Sequence, residues 1–139
     1  MKVFVDTGAW LALEVRNDKY HLEAKNYFEK AKRNRVLLFT NEYVLVETYT
    51  RFIYDFGLES ARKFDTWIQE GVGSSLTIIE EDLRERKRAW EILEKYKDHD
   101  LSFTDAVIVA NYFDYNLDQV FTFDGHFRDI NLSTNLYPT

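Results

Sequence analysis

Residues 119–129 read QVFTFDGHFRD, and this stretch decides the fold. Val120, Phe121, Thr122 and Phe123 are β-branched or aromatic, the composition of a buried strand, and Asp124 with Gly125 stops the run at once. The spacing therefore puts a carboxylate at the C-terminal tip of a strand. The chain opens in the same way: Met1 to Val5 is a second apolar run, closed by Asp6, Thr7 and Gly8. If the two strands lie parallel in one sheet, Asp6 and Asp124 converge at its carboxyl edge, where open α/β sheets hold their ligands.

Between these runs, helical and strand patterns alternate. TGAWLALEV (Thr7 to Val15) reads as a short helix, and Asn17 or Asp18 can cap a longer one running to about Asn34. Its buried face is Tyr20, Ala24, Tyr27, Phe28 and Ala31, at spacings of three and four. Val36 to Phe39 is a strand, and Thr40 or Asn41 caps a helix from Glu42 to about Phe56 that Gly57 ends. A helix from Leu58 to Gln69 follows, then a loop of Gly71, Gly73, Ser74 and Ser75, and a strand from Leu76 to Ile79. A charged helix from Glu80 to about Lys97 is amphipathic through Leu83, Ala89, Trp90, Leu93 and Tyr96. Ser102 begins the helix SFTDAVIVANYFDYN, apolar on most sides and so buried. A tail around Leu136 and Tyr137 reads as an edge strand. Such alternation implies an α/β fold, a mostly parallel sheet covered on both faces. With no linker, repeat or low-complexity segment, residues 1–139 are expected to form one domain.

Composition excludes several chemistries. The hydrophobic fraction of 45% supports a packed core rather than disorder. Without cysteine there is no disulfide, thiolate nucleophile or Cys-built metal site. His21, His99 and His126 share no HxxxH-type spacing, so a metal here should be a hard one held by oxygen. No apolar run approaches the roughly 20 residues that span a bilayer, and the N-terminus enters a strand without a signal-peptide pattern; the expected location is the cytoplasm. The net charge of −6 is unlike that of most nucleic-acid binders. Two divalent cations on a carboxylate cluster would bring that charge to about −2 and reverse the local field, so acidity does not exclude a phosphate substrate.

Four acids lie in or beside apolar runs. Asp6 and Asp124 are either turn residues capping the next helix or the halves of a site. Asp105, third after Ser102 in SFTD, fits a capping box, yet its helix enters the interior, where the positive end of the dipole favours a carboxylate. Glu47 sits among Tyr43, Val44, Val46 and Tyr49. It either points inward, where it needs a partner or a metal, or faces solvent with Arg51 at i+4. Glu80, Glu81, Asp82 and Glu85 read as the start of a solvated helix, and Asp98 and Asp100 as loop caps. His126 follows Asp124 by two and either touches a substrate phosphate or, as a lone loop histidine usually does, serves only the loop.

Taken in order, VDTGAW at Asp6, VLVETYTRF at Glu47, LSFTDAVIVA at Asp105 and FTFDGHF at Asp124 resemble the acidic signature of the PIN-domain family, particularly its small VapC-type toxins. Thr7 and Thr104 beside two of the acids strengthen the likeness, which spans essentially the whole chain. The resemblance implies a three-layer α/β/α fold and a metal-dependent ribonuclease. Its acidic quartet falls on Asp6, Glu47, Asp105 and Asp124, without substitution. It also implies a homodimer held inactive by a small cognate antitoxin. Alternatives within the family are RNA maturation or a non-catalytic RNA- or protein-binding module.

The chemistry of the residues agrees. Crowded carboxylates repel one another, and one or two Mg²⁺ or Mn²⁺ ions relieve this, since both accept oxygen ligands and keep waters. Asp6, Asp105 and Asp124 are then ligands, with Glu47 a ligand or the group that orients water. A receiver-like phosphoacceptor domain is less consistent, because Asp6 is a single acid and no lysine follows the strand from Val120 to Phe123.

Overall fold

In a computed structural model, residues 1–72, 74–127 and 130 are described. Four parallel strands, β1 (Lys2–Val5), β2 (Leu37–Asn41), β3 (Leu76–Ile79) and β4 (Gln119–Phe121), form one sheet in the order β3-β2-β1-β4. Helices α1 (Thr7–Glu14) and α2 (His21–Arg33) join β1 to β2, α3 (Glu42–Phe56) and α4 (Leu58–Gly71) join β2 to β3, and α5 (Leu83–Lys95) and α6 (Phe103–Asp114) join β3 to β4. The first two crossovers step one way along the sheet and the third steps back past β2 and β1. Right-handed connections therefore place α1 to α4 on one face and α5 with α6 on the other, giving three layers. The direction of the crossovers reverses between β1 and β4, the position where doubly wound sheets open a crevice at their carboxyl ends.

The core follows the apolar runs. Val3, Phe4, Val5, Val120 and Phe121 are fully buried, as are Trp10 and the α6 residues Ala106, Val107, Ile108 and Ala110. Register pairs Phe4 with Val120 and Val5 with Phe121, which leaves Asp6 and Thr122 just beyond the paired ends. Asn41, last in β2, caps α3 by accepting from the Val44 N–H at 2.8 Å, and its amide donates to Asn111 Oδ1 on buried α6 at 2.8 Å. Gly57 ends α3 at φ 94°, a left-handed conformation that a glycine adopts without strain.

Three expectations change. Asp18 does not cap α2. Its carboxylate accepts from the Tyr20 N–H at 2.8 Å in a local turn, and α2 begins three residues later with no side-chain cap. The charged helix starts at Leu83 with Asp82 as its cap, and its inward face differs from the amphipathic reading: Leu83 and Trp90 are exposed, while Glu85, Ala89 and Ile92 are buried. Glu81 and Glu85 are therefore not part of a solvated face, since α5 packs on α6 through the row that contains Glu85. Burial, reinforced by Glu85, Asp82 and Glu42 and opposed by Asn111, pushes the Glu81 carboxyl up to about 7. The Leu136 and Tyr137 expectation lies outside the described residues.

Glu85 is 4% exposed, and among the described residues its Oε2 has no hydrogen-bond partner. An unsatisfied buried polar group costs about 1–3 kcal/mol, and a leucine of similar size removes that cost. Glu85→Leu is expected to raise the midpoint of urea unfolding at neutral pH, as followed by circular dichroism.

Candidate active site

The chain needs a turn after each apolar run, and the polar residues of those turns meet at the β1–β4 switch. Asp6 is the N-cap of α1: Oδ1 accepts from the Thr7 N–H at 2.7 Å. Its other oxygen, Oδ2, accepts from Thr122 Oγ1 at 2.9 Å. Capping and clustering are thus both true of this one carboxylate. The Thr122 hydroxyl accepts in turn from the Asp124 N–H at 3.0 Å. That side-chain link explains why β4 ends at Phe121 rather than Phe123, because the loop turns around the hydroxyl instead of extending the ladder. Asp124 consequently sits on a loop three residues beyond the strand. Its Oδ1 accepts from the His126 N–H at 2.9 Å, an Asx turn that leads into a 3₁₀ turn at Gly125–Phe127 anchored by buried Phe127.

Asp105 comes from the opposite layer. It forms a full capping box with Ser102, accepting from the Ser102 N–H through Oδ2 and donating its own N–H to Ser102 Oγ, each at 3.0 Å. The box starts α6 with its acid facing the sheet edge, and Asp105 is buried. His126 Nδ1 lies 3.2 Å from Asp105 Oδ2 and 3.2 Å from Asp124 Oδ1. One ligand atom each from Asp105, Asp124 and His126 falls within 4.8 Å of the others, a spacing that fits a single cation.

Asp6 carries the electrostatic signature. Burial pushes its carboxyl up to about 7 from the ordinary 3.8, against hydrogen bonds from Thr7 and Thr122 that favour the charge, and the charges of Asp105 and Asp124 raise it further. A carboxyl held so far from its usual range beside two other acids at a sheet-edge crevice is a functional-site candidate.

Glu47 is not part of this compact group. It is exposed on α3, and no ion pair joins it to Arg51 among the described residues. The helix nevertheless passes close to Asp6, since the Val44 carbonyl, one turn before Thr48, accepts from Thr7 Oγ1 at 3.4 Å. Asp100 is an exposed turn residue in left-handed backbone, φ 53°. Of the basic residues near the motifs, Lys19 stands over the Tyr20 ring at 4.8 Å, and Tyr20 stacks on Phe123 of the site loop at 4.3 Å. Arg16 and Arg51 are exposed, and Arg128 lies outside the described residues.

The sequence reading assigned no role to Thr122. Its signal is a hydroxyl in a fully buried position within an apolar run, where valine has the same shape. Thr122→Val is expected to destabilise the fold by about 2 kcal/mol, because it strips one hydrogen bond from Asp6 and leaves the Asp124 N–H unpaired. Thr122→Ser is expected to retain most of that stability, which thermal melts of the two variants will compare.

Comparison with known proteins agrees with this geometry. No curated protein sequence matches the chain. Among solved structures, the VapC20 toxin of Mycobacterium tuberculosis, described as cleaving the sarcin-ricin loop, superposes with TM-score 0.82 at 25% identity, covering 94% of this chain and 95% of that one. VapBC2 from Rickettsia felis, solved with a promoter DNA fragment, has the same fold with TM-score 0.72 at 18% identity, over 96% of this chain and 97% of the other. FitAcB from Neisseria gonorrhoeae follows with TM-score 0.71 at 14% identity and 95% coverage of each chain. Among the described residues no helix is long and apolar enough to cross a membrane. Residues 3–132 match the PIN domain, and with the acids after β1, in α6 and in the loop after β4 gathered at one sheet edge, the chain belongs to the PIN-domain family.

Proposed function

We propose that this chain is a divalent-metal-dependent endoribonuclease that hydrolyses RNA phosphodiester bonds and serves as the toxin of a toxin–antitoxin pair. The observation that carries the reading is the meeting of Asp6, Asp105 and Asp124 at the β1–β4 switch, where Asp6 feels the charge of both others. A cluster that raises its own proton affinity is a cluster built for a cation. On this reading Asp105 and Asp124 are the first ligands, Asp6 stands behind Asp124 through the Thr122 hydroxyl, and Glu47, exposed on α3, is assigned as a further ligand or as the group that orients water. When bound, a Mg²⁺ or Mn²⁺ ion supplies a Lewis acid toward the phosphodiester and lowers the pKa of water.

The chain's own residues do the rest. Thr122 and Thr7 hold Asp6 in one rotamer, so the carboxylate presents the same face whether or not it is protonated. The capping box does this for Asp105. Lys19, which stands over Tyr20 stacked on Phe123 of the site loop, gives the site positive charge for a phosphate backbone. The toxin reading rests on the likeness to VapC20, with VapBC2 and FitAcB sharing the fold; on this reading the chain pairs with a small antitoxin and forms a homodimer.

The test is a panel of structured and unstructured RNAs incubated with the protein in Mg²⁺, Mn²⁺ or EDTA. Cleavage is expected with either ion and none with EDTA. Glu47→Gln is expected to lower the cleavage rate at least about tenfold while leaving the melting temperature unchanged, since the side chain is exposed. A rate equal to wild type would remove Glu47 from the site.

A further inference from the structure

We infer that His126 is a ligand of the same ion, making the centre a mixed nitrogen and oxygen site that discriminates among divalent cations. This deepens the metal-dependent reading and rests on it. The sequence favours an all-oxygen site, because the three histidines share no metal-binding spacing. The fold supplies what spacing does not: the Asx turn at Asp124 swings the His126 ring back over its own loop, to α6.

Without an ion Nδ1 makes a hydrogen bond to Asp105 Oδ2, and the same geometry suits ligation. Nδ1 is 3.2 Å from a carboxylate oxygen on each side. A single ring N–H cannot point along both lines, and 3.2 Å is at the long limit for N–H···O. Ligands in cis positions on one octahedral ion at about 2.1 Å, by contrast, lie about 3.0 Å apart. The separations on both sides of Nδ1 are those of neighbours on a shared cation. The ring side chain is 48% exposed, so the proton moves to Nε2 without needing a protein partner, and Nδ1 is left with its lone pair inward.

Donor chemistry gives the consequence. Carboxylate and water suit Mg²⁺, whereas an imidazole nitrogen favours the later first-row ions. Asp105, Asp124 and His126 together therefore bind Co²⁺ more tightly than Mg²⁺, and His126 sets most of that difference.

Isothermal titration calorimetry of the untagged, metal-free chain with CoCl₂ and with MgCl₂ tests this on wild type, His126→Gln and Asp105→Asn. Wild type is expected to bind Co²⁺ about 100-fold tighter than Mg²⁺. His126→Gln is expected to weaken Co²⁺ by about 10–100-fold and Mg²⁺ by less than about threefold, with a shift of the Co²⁺ absorption bands. Asp105→Asn should weaken both ions. If His126→Gln weakens both ions equally or neither, His126 is not a ligand and the carboxylate site stands without it. If wild type takes up neither ion, or takes them up regardless of Asp105→Asn, the metal reading fails and this inference with it.

Discussion

Asp6→Asn is expected to abolish RNA cleavage and, in the same metal-free protein, to raise the melting temperature at pH 8. The Asp6 carboxyl titrates at about 7 in the fold against 3.8 ordinarily. Between those values the folded state holds a proton that the unfolded chain has released, so stability is fully present below about pH 4. It is lost as pH rises through about 7. Asp6 is buried, and each tenfold rise in its proton affinity on folding corresponds to about 1.4 kcal/mol lost once the pH passes the folded value. Asparagine removes the charge, remains a good N-cap for the Thr7 N–H, and meets the Thr122 hydroxyl with an amide. Thermal melts in EDTA should therefore show wild type losing more stability from about pH 4 to 7 than Asp6→Asn, which keeps only the loss due to the other raised carboxyls, Glu81 first. At pH 4 the two proteins should melt together. A variant that melts far below wild type at pH 8 without metal would show that Asp6 is held as a stabilising charge, contrary to this account.

Asp105→Asn separates the two roles of its residue. The capping box needs one oxygen to accept from the Ser102 N–H, and an asparagine carbonyl supplies it. The helix dipole loses a favourable charge worth about 0.3–1 kcal/mol, while repulsion with Asp6 is relieved. The melting temperature should change by only a few degrees. Cleavage, which needs the carboxylate as a charged ligand, should fall roughly a thousandfold or more. Asp105→Ala loses the cap as well and should melt lower than the asparagine variant. Equal activity in wild type and Asp105→Asn would confine Asp105 to its capping role.

Much of this was legible in the sequence because local rules and global fold agree. The run from Val120, the run from Met1 and the apolar SFTDAVIVA helix each admit one assignment, and alternation fixes a parallel sheet. Ser102 and Asp105 announced their capping box by spacing alone, and Asn41 its cap. The errors arose where one side chain does two jobs. Thr122 reads as a strand residue by composition, but its hydroxyl ends the strand by bonding Asp6 and Asp124 instead. Glu81 and Glu85 read as the acids of an exposed first turn, and only the packing of α5 on α6 reveals that Glu85 lies inside. Periodicity could not decide this, since Leu83 and Trp90 are apolar yet point outward. The approach of His126 to Asp105 joins positions 21 residues apart through a turn, and no local pattern encodes it.

The central claim is hydrolysis at a carboxylate-held cation, and the chemistry of the product ends tests it most directly. Attack by water needs no 2′-hydroxyl, so fragments made in Mg²⁺ or Mn²⁺ should carry 5′-phosphate and 3′-hydroxyl ends. They should be absent in EDTA and with Asp6→Asn, and sequencing with end-specific ligation reads this in one experiment. Cleavage that persists in EDTA, or that leaves 2′,3′-cyclic phosphates, would contradict the account.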